Sequence, residues 1–161
     1  MQTLDWSDRP IGRGASRGFT LLELLFALAV AAVLTTVAVP AYRGYVERSR
    51  ISAAIADIAG IHLAIQRHVT ANYQPPPDLA TVGMAGRMDP WGRPYAYLSF
   101  TGLKGKGPMR KDKNLVPINS QYDLYSMGPD GESVAPLTAK ASRDDVILAN
   151  DGGFIGLASE Y

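Results

Sequence analysis

An apolar run over residues 19–42 constrains this chain more than any other feature of its sequence. The run carries a single charged residue, Glu23, and about 20 consecutive apolar residues are enough to cross the hydrocarbon core of a bilayer. A secretory signal peptide is the alternative, but its apolar region is usually about 7–15 residues long and ends at a small-residue cleavage site. This run is longer and continues directly into residues 42–45, which hold two tyrosines and an arginine. The pattern therefore predicts a membrane-spanning helix.

Basic residues predict the direction in which this helix crosses the membrane. Arg9, Arg13 and Arg17 precede the run, and short flanking segments rich in arginine or lysine stay in the cytoplasm. The chain from residue 43 onward is then expected on the far side of the membrane, in the periplasm or the exterior.

Glu23 has two alternative explanations. A carboxylate in hydrocarbon costs a few kcal/mol or more unless it is paired. The acid could reach the headgroups from a place near the helix end, where the positive end of the helix dipole favours it. Alternatively, cleavage between Gly18 and Phe19 would create an α-amino group that neutralises Glu23 of a neighbouring chain and fixes the stagger of the two helices. The second explanation also accounts for the glycine directly before the run.

Residues 18–23, GFTLLE, resemble the processing site of type IV prepilins and type II secretion pseudopilins. Pro40, Tyr42 and Tyr45 follow at the offsets typical of that family. The resemblance implies a type IV pilin-like α+β fold, in which one long N-terminal helix carries a small antiparallel sheet on its second half.

The same resemblance implies roles for four residues and a set of partners. It implies cleavage after Gly18 by the membrane prepilin peptidase and N-methylation of Phe19, and it assigns Glu23 and Pro40 to assembly. The expected product is a filament of many copies of this chain, together with minor pseudopilins. An inner-membrane assembly platform is expected to build it. The N-terminus is expected in the cytoplasm and the C-terminal domain in the periplasm.

Past the span, apolar side chains recur at helical spacing and predict an amphipathic continuation over residues 43–72. Pro40 lacks an amide N–H, so the helix is expected to bend or locally unwind there. The prolines at 75–77 end the helix. His62 lies within the stripe and is predicted to be a packed, hydrogen-bonded core residue. The stripe consists of Ile51, Ile55, Ile58, His62, Ile65 and Val69.

Three segments after the helix are predicted to be strands, namely residues 95–100, 121–127 and 145–149, and the first of them carries aromatic residues at alternate positions. They predict a small antiparallel sheet, with Trp91 as an anchor on the helix. The predicted organisation is a cleaved leader (1–18), a transmembrane and assembly helix (19–42), an amphipathic second half of that helix (43–72) and a globular antiparallel-sheet region with a C-terminal loop (73–161).

Residues 89–95, DPWGRPY, and residues 122–131 are similar to two signatures of the major pseudopilin of type II secretion systems. That resemblance implies a calcium site in the loop after the second strand. Carried over by position, its ligands are the Met127 carbonyl and three acids, Asp130, Asp144 and Asp145. Calcium prefers such oxygen ligands, and metal binding would stabilise a long loop that has no disulfide.

The calcium prediction has an alternative, because the corresponding loop of the family is short. Here residues 132–143 lengthen the loop and add two positive charges, Lys140 and Arg143. Asp130 could instead serve a turn, while Asp144 and Asp145 begin a strand at the surface. Comparing thermal melting with calcium and with a chelator distinguishes the two.

A basic segment over residues 103–114 is expected to be a solvated hairpin loop. Contact with DNA is the alternative, but the loop has no aromatic side chains for base stacking and the net charge of the chain is only +1, so a nucleic-acid partner is disfavoured. The basic residues are Lys104, Lys106, Arg110, Lys111 and Lys113.

The sequence offers no nucleophile with a base, no phosphate-binding loop in the right context and no catalytic carboxylate pair, so an enzyme is not predicted. The predicted function is a structural subunit of the periplasmic pseudopilus that helps a type II secretion system export folded proteins. A type IV pilin of a surface pilus, used for adhesion, motility or DNA uptake, is the alternative. The chain has no cysteine, which tilts against pilins that carry a C-terminal disulfide.

Overall fold

The computed structural model describes residues 18–161. Of the predicted leader, only Gly18 is therefore described; the three arginines that set the predicted topology lie outside the described residues. The chain divides into two units after Tyr42, and the second unit is Arg43–Tyr161. The described part holds one long α-helix, α1 (Leu21–Asn72), and a four-stranded antiparallel sheet. The predicted α+β fold is confirmed.

In the first unit, every described side chain is exposed. Helix α1 is long and apolar enough to cross a membrane, judged by length and composition alone. The hydroxyls of Thr35 and Thr36 donate to the carbonyls of Ala31 and Val33 at 2.7 Å each, so both are satisfied within the helix, as an apolar environment requires. This part of the chain has no core of its own.

Pro40 lies inside α1 without interrupting it. Of the two predicted effects, local unwinding is not seen, since helical backbone continues from Leu21 to Asn72. Bending at Pro40 stays a prediction. A proline removes one hydrogen bond from the ladder, and α1 continues past it.

The sheet of the second unit has strands in sequential order, and each pairs antiparallel with the next. The three predicted strands are confirmed to within about a residue at each end. The strands are β1 (Ala96–Ser99), β2 (Tyr122–Ser126), β3 (Val146–Ala149) and β4 (Phe154–Leu157).

The fourth strand corrects the prediction of a C-terminal loop. The turn before β4 passes through Asn150 (φ 52°), Asp151 (φ 53°) and Gly152 (φ 100°), all in the left-handed region. The carboxylate of Asp151 holds this turn by accepting the amide N–H and the hydroxyl of Ser120, both at 2.8 Å. The sequence Asp-Gly-Gly followed by Phe-Ile-Gly-Leu was the available signal.

Helix α1 contributes one apolar face to the core of the second unit. Its fully buried residues, Ala54, Ile58, Ile61 and Ile65, are spaced by four, three and four. The buried face is therefore centred to one side of the predicted stripe. Four residues of that stripe are only half-buried, namely Ile51, Ile55, His62 and Val69. Sheet and turn residues complete the cluster, namely Tyr95, Tyr122, Leu124, Val146 and Leu148.

His62 lies at the edge of this cluster as a half-buried, hydrogen-bonded residue, which confirms its prediction. Its Nδ1 is 2.6 Å from the hydroxyl of Tyr122. Burial lowers the pKa of His62, although the carboxylate of Asp151 acts in the opposite direction. The neutral ring is therefore the favoured form in the folded chain.

An Ile61→Ala substitution is expected to lower the free energy of unfolding by about 2–5 kcal/mol, because it leaves a cavity in the core. Ile61 is 0% exposed, whereas Leu63 on the same helix is 53% exposed. Leu63→Ala is therefore the matched control and should change stability by about 0.5 kcal/mol or less. Denaturant unfolding of both variants checks this, and equal losses would contradict the assignment of the buried face.

Candidate functional site

The N-terminal motif forms a capping box at the start of α1. The carboxylate of Glu23 accepts both the amide N–H and the hydroxyl of Thr20 at 2.9 Å, and the Thr20 hydroxyl accepts the amide N–H of Glu23 at 3.2 Å. Such reciprocal bonds satisfy amide groups that a helix start leaves without partners. The pattern Thr-x-x-Glu is the sequence signature of this capping box, which was not among the predicted features.

The capping box gives Glu23 a role within its own chain, close to the first of the two explanations. Pairing with the α-amino group of a neighbouring chain stays a prediction. Phe19 is 78% exposed, and a Cβ added at Gly18 would meet no atom within 4 Å. The described fold therefore does not require a glycine at position 18.

Asp89 organises the DPWGRPY turn from a buried position. One carboxylate oxygen accepts the amide N–H groups of Trp91 (3.0 Å) and Arg93 (2.8 Å), and the other accepts the hydroxyl of Ser126 at the end of β2 (2.5 Å). Gly92 has a φ of 84°, a conformation that glycine adopts at no steric cost. The indole of Trp91 donates to Glu47 on α1 at 3.2 Å, in agreement with its predicted anchoring role.

Arg93 joins this turn to the loop that follows β2. Its guanidinium donates to the carbonyl of Gly128. Gly131 packs against the same guanidinium with a φ of +74°, and a Cβ there would lie 2.8 Å from the Arg93 Cζ. The two segments that resemble the major pseudopilin thus form one connected structure.

The loop between β2 and β3, residues 127–145, contains the predicted calcium ligands. The Met127 carbonyl accepts the amide N–H of Gly131 at 3.2 Å. Asp130 is exposed, and its carboxylate accepts the amide N–H of Glu132 at 2.8 Å, as in a turn. Its own amide N–H donates weakly to the carboxylate of Asp144, at 3.4 Å. Asp130 and Asp144 therefore lie near each other, and besides burial the charge of Asp144 acts to raise the pKa of Asp145.

The third acid, Asp145, is fully buried and forms an ion pair with Arg110. The same carboxylate oxygen accepts the hydroxyl of Ser133 at 2.6 Å. Burial raises the pKa of Asp145 to about 6, although the Ser133 hydroxyl and the Arg110 guanidinium favour the charged form. At pH 7 the carboxylate is charged and faces a charged guanidinium.

The residues present do not fit a calcium ion. Calcium takes six to eight oxygen ligands, and no cluster of three or more histidine, cysteine or acidic residues within residues 18–161 could hold a metal. The Oδ1 atom of Asp145 is buried without a hydrogen-bond partner, but the Arg110 guanidinium donates to the other oxygen of the same carboxylate. This carboxylate therefore already faces a cation.

Arg110 is an exception within the basic segment, which was expected to be solvated throughout. It is buried, with 3% of its surface exposed, because its partners lie in the β2–β3 loop. Lys104, Lys106 and Lys113 are exposed as expected, and Lys111 is half-buried. The ion pair was not predicted, because Arg110 and Asp145 are 35 positions apart in the sequence and no local pattern links them.

Comparisons with known proteins bear on both regions. Residues 13–39 match the family model for the prokaryotic N-terminal methylation motif. Type II secretion system core protein G of Escherichia coli K12 is 30% identical over 121 residues, which cover 72% of this chain and 83% of that protein. The type IV major pilin protein PilE of Neisseria gonorrhoeae is 35% identical over 146 residues, or 85% of this chain and 84% of PilE. The chain belongs to the type IV pilin and pseudopilin family.

Pilin and pseudopilin subunits are structural proteins, and this chain is a structural subunit, not an enzyme. Subunits of the pilin type form filaments, and the methylation motif implies processing by a prepilin peptidase. A fimbrial protein of Neisseria meningitidis serogroup A, 32% identical over 84% of this chain and 80% of its own length, is a further relative. No solved structure matches significantly. The single apolar helix and the motif are consistent with a membrane-anchored pilin-like protein.

Proposed function

We propose that this chain is the main structural subunit of a periplasmic pseudopilus, which helps a type II secretion system export folded proteins. The observation that carries the proposal is the connected turn of Asp89 and Arg93. It matches the signature of the major pseudopilin, and it binds Ser126 and Gly128 of the second matching segment. Core protein G of the E. coli system is among the relatives.

The proposed mechanism is mechanical. The apolar first part of α1 has no core of its own, so it rests in the inner membrane before assembly and packs against other copies after it. An assembly platform extracts subunits one at a time, and the growing filament pushes substrates towards the outer-membrane channel. Glu23 acts in docking and register, while the sheet supplies lateral contacts between subunits.

A surface pilus is the second candidate function. Two Neisseria pilins, PilE and a fimbrial protein, are 35% and 32% identical to this chain over most of its length. In such a filament the exposed lysines of residues 103–114 would face the medium, where they could contact polyanions.

Deletion of the gene in its host distinguishes the two functions. The pseudopilus proposal expects loss of exoprotein from the medium, with exoprotein accumulating in the periplasm and surface pili unchanged in electron micrographs. Complementation with the intact gene should restore export. Normal export together with loss of surface pili would replace the proposal with the alternative.

A further inference from the structure

The β2–β3 loop is closed by arginine side chains at both of its ends. β2 ends at Ser126 and β3 begins at Val146. Near the start of the loop, the guanidinium of Arg93 donates to the Gly128 carbonyl. At its end, the guanidinium of Arg110 pairs with Asp145. A backbone carbonyl and a carboxylate of this loop, the oxygen types a calcium ion would take, are thus engaged by nitrogen donors.

The surroundings of Arg110 hold both terminal nitrogens of its guanidinium, whereas its buried Nε has no hydrogen-bond partner. One of its terminal nitrogens donates to the Ser133 hydroxyl (2.5 Å) and to the Val134 carbonyl (2.6 Å), and the other donates to Asp145. The guanidinium carbon lies 4.3 Å from the ring centroid of Tyr125, a cation–π contact.

The backbone at Arg110 is held in the same place. Its amide N–H donates to the buried carboxylate of Asp123 at 2.6 Å. The next residue, Lys111, donates to the Ala135 carbonyl and accepts the amide N–H of Leu137, both at 2.9 Å.

The insertion over residues 132–143 supplies much of this site. Ser133 and Val134 belong to it, and Ser142 fixes Val134 by accepting its amide N–H (2.9 Å) and donating to its carbonyl (2.8 Å). The extra loop length therefore folds over Arg110 and buries it.

We infer that the guanidinium groups of Arg110 and Arg93 serve as the internal cations of the β2–β3 loop in place of a metal ion, so the fold of this subunit does not depend on calcium. A planar guanidinium presents several donors in a fixed geometry, which one ammonium group cannot reproduce. A calcium ion at Asp145 would lie next to the positive charge of Arg110. This inference goes beyond the proposed function and holds equally for a pseudopilus or a surface pilus.

Thermal melting of the full chain in detergent micelles tests the inference. Melting curves of the wild-type protein in millimolar calcium and in excess chelator should superimpose, and isothermal titration with calcium should show no binding heat. Arg110→Gln leaves the buried carboxylate of Asp145 without a counter-charge and should lower Tm by about 10 °C or more.

Matched variants separate the buried contact from the loss of a charge. Lys113→Gln removes an exposed positive charge from the same segment and should melt with the wild type. Arg110→Lys keeps the charge but loses part of the donor set, so its Tm should lie between those of the wild type and Arg110→Gln.

A rise of many degrees in the wild-type Tm on adding calcium would overturn the inference, as would an Arg110→Gln variant that melts with the wild type. If Arg110→Gln yields no folded protein, the wild-type calcium titration decides alone.

Discussion

A Gly18→Arg variant is expected to accumulate with its leader attached and to form no filament. The peptidase must bind the backbone on both sides of the bond it cuts, and a large charged side chain at this position obstructs that approach. The fold gives no competing explanation, because a side chain at Gly18 meets no atom within 4 Å. Co-expression with a prepilin peptidase, followed by gel mobility and mass measurement, reports the fraction processed, which should fall from nearly complete to undetectable.

Gly60→Ala is the matched control for this variant. Gly60 is an exposed glycine of α1, and a Cβ there also meets no atom within 4 Å. Alanine favours helix over glycine by about 1 kcal/mol, so this variant should fold, be processed and assemble. Normal processing of Gly18→Arg would contradict cleavage between Gly18 and Phe19.

Substitutions at Glu23 are expected to separate its two possible roles. Glutamine can replace glutamate in a capping box, so Glu23→Gln keeps the bonds to Thr20 but removes the charge, whereas Glu23→Ala removes both. If the Glu23 carboxylate forms an ion pair with the new α-amino group of a neighbouring chain, both variants should be inserted and processed. Their incorporation into filaments should nevertheless fall by about tenfold or more. A lost interaction of about 1.4 kcal/mol already has that effect.

Thr20→Ala completes the test, because it keeps the acid and removes the hydroxyl that binds it. Loss of an N-cap costs about 1 kcal/mol of helix stability, and filament yield should change little in this variant. Normal filament yield from Glu23→Gln, with a loss only in Glu23→Ala, would assign Glu23 to capping and leave the pairing of charges without support.

The helix and three of the strands could be predicted because their signals are local. An apolar run, a helical repeat and the prolines at 75–77 fixed α1 to within two residues of its observed bounds, Leu21–Asn72. Aromatic residues at alternate positions did the same for β1, and the turn residues at 128–131 marked the end of β2. The fourth strand was missed because it has only four residues, and because two of the three left-handed residues in the turn before it, Asn150 and Asp151, are not glycines.

The loop contacts could not be predicted because they depend on which charges the fold brings together. Arg110 is one of five basic residues in a short segment, and only tertiary structure distinguishes it from Lys113. Asp144 and Asp145 are adjacent in the sequence, yet Asp145 is buried in an ion pair whereas Asp144 is only half-buried. Similarity to the family predicted where the loop lies. It did not predict that Asp145 would pair with Arg110 instead of a calcium ion.

The mass of the polypeptide isolated from native filaments tests the central claim most directly. We expect a chain that begins at Phe19 and carries one methyl group on its α-amino nitrogen. Filaments built from chains that still carry residues 1–18 would contradict cleavage between Gly18 and Phe19.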